Sequence, residues 1–113
     1  MVRENSLAGT VRTPIGPARA KALLDHMQAW QGTVSNQWKI RANTHQAVMD
    51  EGAPRAYAEV YKNLRVREQN DALSAADRKH LQRCTEFLAE ELGNALGTSR
   101  GEALEQMAQA SQI

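Results

Sequence analysis

The segment Gln37-Trp38-Lys39-Ile40-Arg41-Ala42-Asn43 puts an indole beside two cations, in a chain whose aromatics are two Trp, two Tyr and one Phe. A wide apolar ring next to cations does one of two jobs. It anchors a core while its charged neighbours lay their stems over it and keep their heads in water, or it stands out as a wedge for a distorted duplex. Tryptophan is highly buried on average, so the residues alone favour packing slightly and leave both readings open.

The other reactive side chains do not converge. His26, His45 and His80 fall on three different predicted helices with no HxxxH or HExxH spacing, the arrangement that lets one helix face hold zinc. There is no Walker loop and no GxGxxG, and the neighbours Asp25-His26 and Glu90-Glu91 read as solvated helix faces. Nucleophile, base and orienting group are not brought to one place at the level of sequence. The expectation is a protein that is not an enzyme and uses no metal or cofactor. Cys84 is the single cysteine, which excludes an internal disulfide framework and a multi-thiolate zinc site. Its place on an apolar stripe with Leu81, Leu88 and Leu92 predicts an inert core thiol.

Charge is unevenly spread. The net value is +1, yet residues 1–49 hold Arg3, Arg12, Arg19, Lys21, Lys39 and Arg41 against Glu4 and Asp25, whereas residues 84–113 hold Arg100 against Glu86, Glu90, Glu91, Glu102 and Glu105. Such poles suit a molecule that meets a polyanion at one end, although solvated helix faces also produce them. Between the poles, Arg65, Arg67, Arg78, Lys79 and Arg83 interleave with Glu59, Glu68, Asp71 and Asp77 and read as an ion-paired, solvated face. With 113 residues, 42% hydrophobic and 24% charged, the chain suits one globular domain. No apolar run approaches the roughly 20 residues that span a bilayer, and the polar start lacks a signal-peptide core. A cytoplasmic protein is expected.

The elements that must position these groups are helices. Thr10-Val11-Arg12-Thr13-Pro14-Ile15 alternates polar and apolar residues, so residues 1–15 read as an extended arm with no sheet to join. Gly16 and Pro17 form a helix start, followed by a stripe of Ala20, Leu23, Leu24, Met27 and Trp30, with Gly32 as terminator. Trp30, at the end of that stripe, is expected to pack between helices. A second helix is expected from Ser35 or Asn36, both good caps, to about Asp50, with a thin apolar stripe from which Ile40 points away. Gly52 and Pro54 restart the chain, and Ala56, Tyr57, Val60, Tyr61 and Leu64 then recur as a core-facing helix requires. Ser74 with Asp77, and Ser99 with Glu102, have capping-box spacing and open the last two helices. The fold class is all-α, a bundle of about five helices over residues 16–113.

From Trp38 onward the chain resembles the C-terminal helical domain of the CarD family of bacterial transcription regulators, the group that includes CdnL proteins. The resemblance rests on Trp38-Lys39-Ile40-Arg41, the glycine turn at Gly52, Ala58-Glu59-Val60 followed by Leu64 and Arg67, and Leu73-Ser74 followed by Asp77-Arg78 and Leu81. Residues 10–15 and 18–22 are similar to the family's last β-domain strand and its entry into the helical domain. The resemblance implies a chain that lacks almost all of the β domain that binds RNA polymerase in the family. Departures fall at Lys39, commonly serine, at Ile40 and Asn43, often basic, and at Ala53, where an acidic cap is usual.

The resemblance implies binding of promoter DNA at the upstream fork of the transcription bubble. Trp38 corresponds to a wedge in the minor groove, and Lys39 and Arg41 to phosphate partners that help stabilise the open complex in the bacterial nucleoid. An inserted ring recovers the cost of unstacking only where the duplex is already distorted. RNA polymerase is a possible partner whose binding domain is not seen. The competing expectation is a helical protein-interaction module, or a homodimer paired through an exposed arm at residues 8–15.

Overall fold

Gly16 is extended (φ −90°, ψ 176°) and Pro17 fills the first turn after it, where a fixed φ and a missing N–H cost a helix nothing. Helix α1 therefore runs Pro17–Ala29, followed by α2 (Trp38–Met49), α3 (Pro54–Asn70), α4 (Ala75–Leu96) and α5 (Arg100–Ala110). The computed structural model describes residues 15–32 and 34–111, and all the regular structure among them is helical, as the sequence predicts. Of the expected arm, Ile15 packs half-buried against the core, while residues 1–14 lie outside the described residues.

Side-chain pairs fix the directions of the helices. His26 meets Glu59 and Trp30 meets Asn63, so α1 and α3 run parallel. Arg67 reaches Asn36 and Asn63 meets His45, so α2 runs against α3. Arg41 pairs with Asp77 and His80 with Gln46, so α2 and α4 are parallel, and their N-termini share one end of the bundle. Tyr57 of α3 stacks on Phe87 of α4 with ring centroids 4.0 Å apart. Met27, Met49, Val60, Tyr61, Leu64, Cys84, Leu88, Leu92 and Met107 fill the centre.

The turns follow local chemistry. Gly52 and Gly97 adopt φ of 75° and 66°, the left-handed region that glycine enters without a Cβ penalty. Both predicted capping boxes form: Ser74 with Asp77 on α4 and Ser99 with Glu102 on α5. Helix α1 ends on a buried lysine, since Lys62 Nζ donates to the carbonyls of Met27 and Gln28 at 2.9 and 3.0 Å. That ammonium satisfies two of the carbonyls that a helix end leaves unpaired. The start of α2 differs from expectation. Neither Ser35 nor Asn36 is its cap: Gln37 occupies that position without a side-chain cap bond. Ser35 is engaged otherwise, with its hydroxyl accepting from Gln37 N–H and its carbonyl from Arg41.

Candidate nucleic-acid interface

Helix α2 is built inside out. The residues it buries are Arg41, His45 and Met49, four apart and so on one face, and two of the three are polar. Its large apolar side chains face solvent instead, with Trp38 52% and Ile40 49% exposed. Lys39 Nζ lies 5.7 Å from the centre of the Trp38 ring, within the reach of a cation–π contact. Indole and ammonium thus stand together on the first turn of α2, with the Ile40 side chain exposed on a different side of the helix.

Arg41 belongs to the interior. Its guanidinium is 2% exposed and the Asp77 carboxylate it pairs with is fully buried. Nε donates to both carboxylate oxygens at 3.0 and 3.1 Å, Nη2 to Oδ2 at 2.6 Å and Nη1 to the Ser35 carbonyl at 2.9 Å. Asp77 Oδ2 also accepts from Ser74 N–H at 3.1 Å, so one carboxylate serves the α4 cap and the ion pair together. Burial alone raises the Asp77 carboxyl, but the hydrogen bonds from Arg41 and Ser74 outweigh it and hold the group below its ordinary range. The expectation that Arg41 stands on the surface as a phosphate partner is corrected by its burial, since the side chain is 2% exposed and turned inward to Asp77 and the Ser35 carbonyl. An arginine four residues before His45 and eight before Met49 is the signal the sequence offers; its pattern reads Asp77 as a cap and as part of a solvated, ion-paired face, which places that carboxylate at the surface.

Of the predicted site, Trp38 and Lys39 come together on the surface and Arg41 lies beneath them. Further cations stand at the same end. Arg65 pairs with Glu68 and Arg67 with Asp71, as an ion-paired face requires, but Asp77 is consumed by Arg41. Among the described residues no ion pair joins a carboxylate to the exposed Arg78, Lys79 or Arg83. The ion pairing therefore holds for α3, although Arg67 and Glu59 are more buried than a solvated face implies, and the exposed charges of the first half of α4 are cations.

Behind α2 lies a polar track. Trp30 Nε1 donates to Asn63 Oδ1 at 2.9 Å, and Asn63 Nδ2 lies 3.3 Å from His45 Nε2, so Trp30 does cement α1 to α3. Burial first, and then the charges of His80 and Arg41, depress His45 to a pKa of about 4, which keeps it neutral at pH 7 and able to accept from Asn63. Burial raises the Cys84 thiol to about 12, in keeping with an inert core cysteine. Among the described residues, no three His, Cys, Asp or Glu side chains are grouped to hold a metal ion, and no helix is long and apolar enough to cross a membrane.

The family model of the CarD C-terminal domain matches residues 22–108, which takes in α2, α3 and α4 whole and most of α1 and α5. No curated protein shows a significant match to the chain.

Proposed function

Because the chain belongs to the CarD family through its C-terminal domain, a family of transcription regulators, we propose that it acts on bacterial promoter DNA, with Trp38 as a minor-groove wedge at the upstream fork. The observation that carries this reading is the half-exposed indole on the first turn of α2 with the Lys39 ammonium beside it. Leaving so large an apolar ring in water forgoes about 25 cal/mol per Å² of burial, a cost that a partner surface removes. Stacking against a splayed base step does so at a fork, where the duplex has already given up part of its own stacking. Lys39 then neutralises phosphate beside the wedge, and Arg78, Lys79 and Arg83 extend the cationic surface along α4. Arg41 has no direct part in this contact.

Stabilisation of the open complex follows if the wedge favours the fork over paired DNA. Contact with RNA polymerase is not assigned to this helical domain, and no catalytic step is proposed for it. The role requires residence at the nucleoid. The second reading, a protein-interaction module or homodimer, draws on the same exposed indole, since Trp38 also suits an apolar interface.

Salt-titrated binding to forked and fully paired promoter duplexes, with wild type and Trp38→Ala, separates the two. The wedge predicts a fork preference that Trp38→Ala reduces by about 1–3 kcal/mol, the range for a base stacked on an aromatic, or roughly five- to 150-fold. Unchanged fork binding in Trp38→Ala, with a molecular mass that rises with concentration in wild type and not in the variant, supports the module instead.

A further inference from the structure

We infer that the buried Arg41–Asp77 pair is a positioning device that holds the first turn of α2, and with it Trp38, in the pose that meets a partner. The inference rests on Trp38 being the group that touches DNA, and extends that reading to what aims the ring.

Helix α2 has no start signal of its own. Gln37 makes no side-chain cap bond and the first turn carries no acidic residue, so the N–H groups of Trp38, Lys39 and Ile40 have no capping side chain to fix them. An exposed indole on such a turn gains by folding back onto nearby apolar surface. One guanidinium opposes that. Arg41 holds the Ser35 carbonyl with Nη1 and Asp77 with Nε and Nη2, while the Ser35 hydroxyl accepts from Gln37 N–H at 3.1 Å. The three residues ahead of Trp38 are thereby tied to Asp77, which is itself tied to the α4 backbone through Ser74. The connection from the α4 cap to the first turn of α2 passes through fixed, directional bonds.

The choice of side chain matters. A planar fork engages a carboxylate with two donors while a third points elsewhere, which the point charge of a lysine does not reproduce. Stability is a weak account of the pair, because apolar replacements of buried ion pairs are often neutral or stabilising. What the pair does supply is one arrangement of the 35–38 backbone.

The test uses the Trp30→Phe chain, so that Trp38 is the sole tryptophan emitter, and compares it with the added pairs of changes Arg41→Met plus Asp77→Asn, and with Arg41→Lys alone. Removing both charges avoids an orphaned buried ion. Urea unfolding, the nanosecond anisotropy decay of Trp38 and the preference for forked over paired duplex are measured on each. The expected result is cooperative unfolding in all three, a new fast depolarising component of the indole in both variant sets, and a fork preference reduced about tenfold. A folded double variant with a rigid indole and an undiminished fork preference overturns the inference. Should the double variant fail to fold, the same readouts on Arg41→Lys decide. If Trp38→Ala itself leaves fork binding intact, the DNA reading fails, whereas the anisotropy still tests what holds the ring.

Discussion

Protonating His45 asks a buried imidazole to leave its neutral state inside the bundle, and the fold resists. Burial first, then the neighbouring His80 and Arg41, bring its pKa from 6.5 to about 4, with Asp77 pulling weakly the other way. His80 is lowered too, chiefly by burial. Between pH 6.5 and 4 the unfolded chain therefore binds protons that the folded chain refuses. The stabilisation is complete above about pH 6.5 and is lost as pH falls towards 4, by at most about 1.4 kcal/mol per pH unit for each histidine. Asp77 enters later: its depressed carboxyl stabilises the fold above its ordinary value of 3.8 and loses that contribution only as pH falls further. The unfolding free energy measured in urea should decline from pH 6.5 to about 4.5 as the histidines lose their contribution, and go on falling below 3.8 as Asp77 loses its own. His45→Gln keeps an acceptor for Asn63 and should flatten the limb between pH 6.5 and about 4.5. An unchanged slope in that variant places the titration elsewhere.

At the scale of elements, α4 is held at its start by a cap that does two jobs, and substitution separates them. Ser74→Ala removes the hydroxyl that accepts from Asp77 N–H and should cost about 1 kcal/mol, the usual value of an N-cap. Asp77→Ala removes the reciprocal bond and strands the Arg41 guanidinium without a counter-ion, a loss of about 3–5 kcal/mol. Ser99→Ala at the exposed start of α5 has a capping box but no buried ion behind it, so it should resemble Ser74→Ala; urea unfolding of the three variants checks the order. Helices α3, α4 and α5 are the legible part of this molecule because apolar spacing and cap chemistry agree there: Tyr57, Val60, Tyr61 and Leu64 all face the core, and both Ser-x-x-acid boxes close. Helix α2 is where reading by apolar period falters, since two of the three residues it buries, Arg41 and His45, are polar, while Trp38 and Ile40 are each exposed. The indole and Lys39 were visible in sequence as a pair. Arg41 was visible as a cation but not as an interior one, because the carboxylate that draws it inward is 36 residues away, beyond any local pattern.

Across the whole molecule, charge is sorted along the bundle in a way helix stability does not ask for. Arg78, Lys79 and Arg83 lie in the first half of α4, and Glu86, Glu90 and Glu91 in the second. Cations near a helix N-terminus and carboxylates near its C-terminus both oppose the macrodipole, so the arrangement costs α4 a little stability. It makes sense as a field. The N-termini of α2 and α4 share one end of the bundle, and at roughly 1.5 Å per residue the centres of the two clusters on α4 lie about 14 Å apart, a little more than the Debye length of about 8–10 Å at physiological salt, so salt screens the acidic cluster only partly from a partner at the cationic one. On the proposed reading, DNA is drawn to the cationic end and repelled by the acidic half. Each cation that displaces a condensed counterion contributes about 0.9 to the slope of log affinity against log salt on duplex DNA. Replacing Lys39, Lys79 or Arg83 by Gln should reduce that slope by about one each, with little change in fork preference, because phosphate contacts carry no base or shape readout of their own. Arg100→Gln, at the start of α5 beyond the acidic half of α4, should leave the slope where it was. Equal reductions for Arg100 and Lys39 would mean that binding follows net charge alone, and that the end carrying Trp38 has no special place in it.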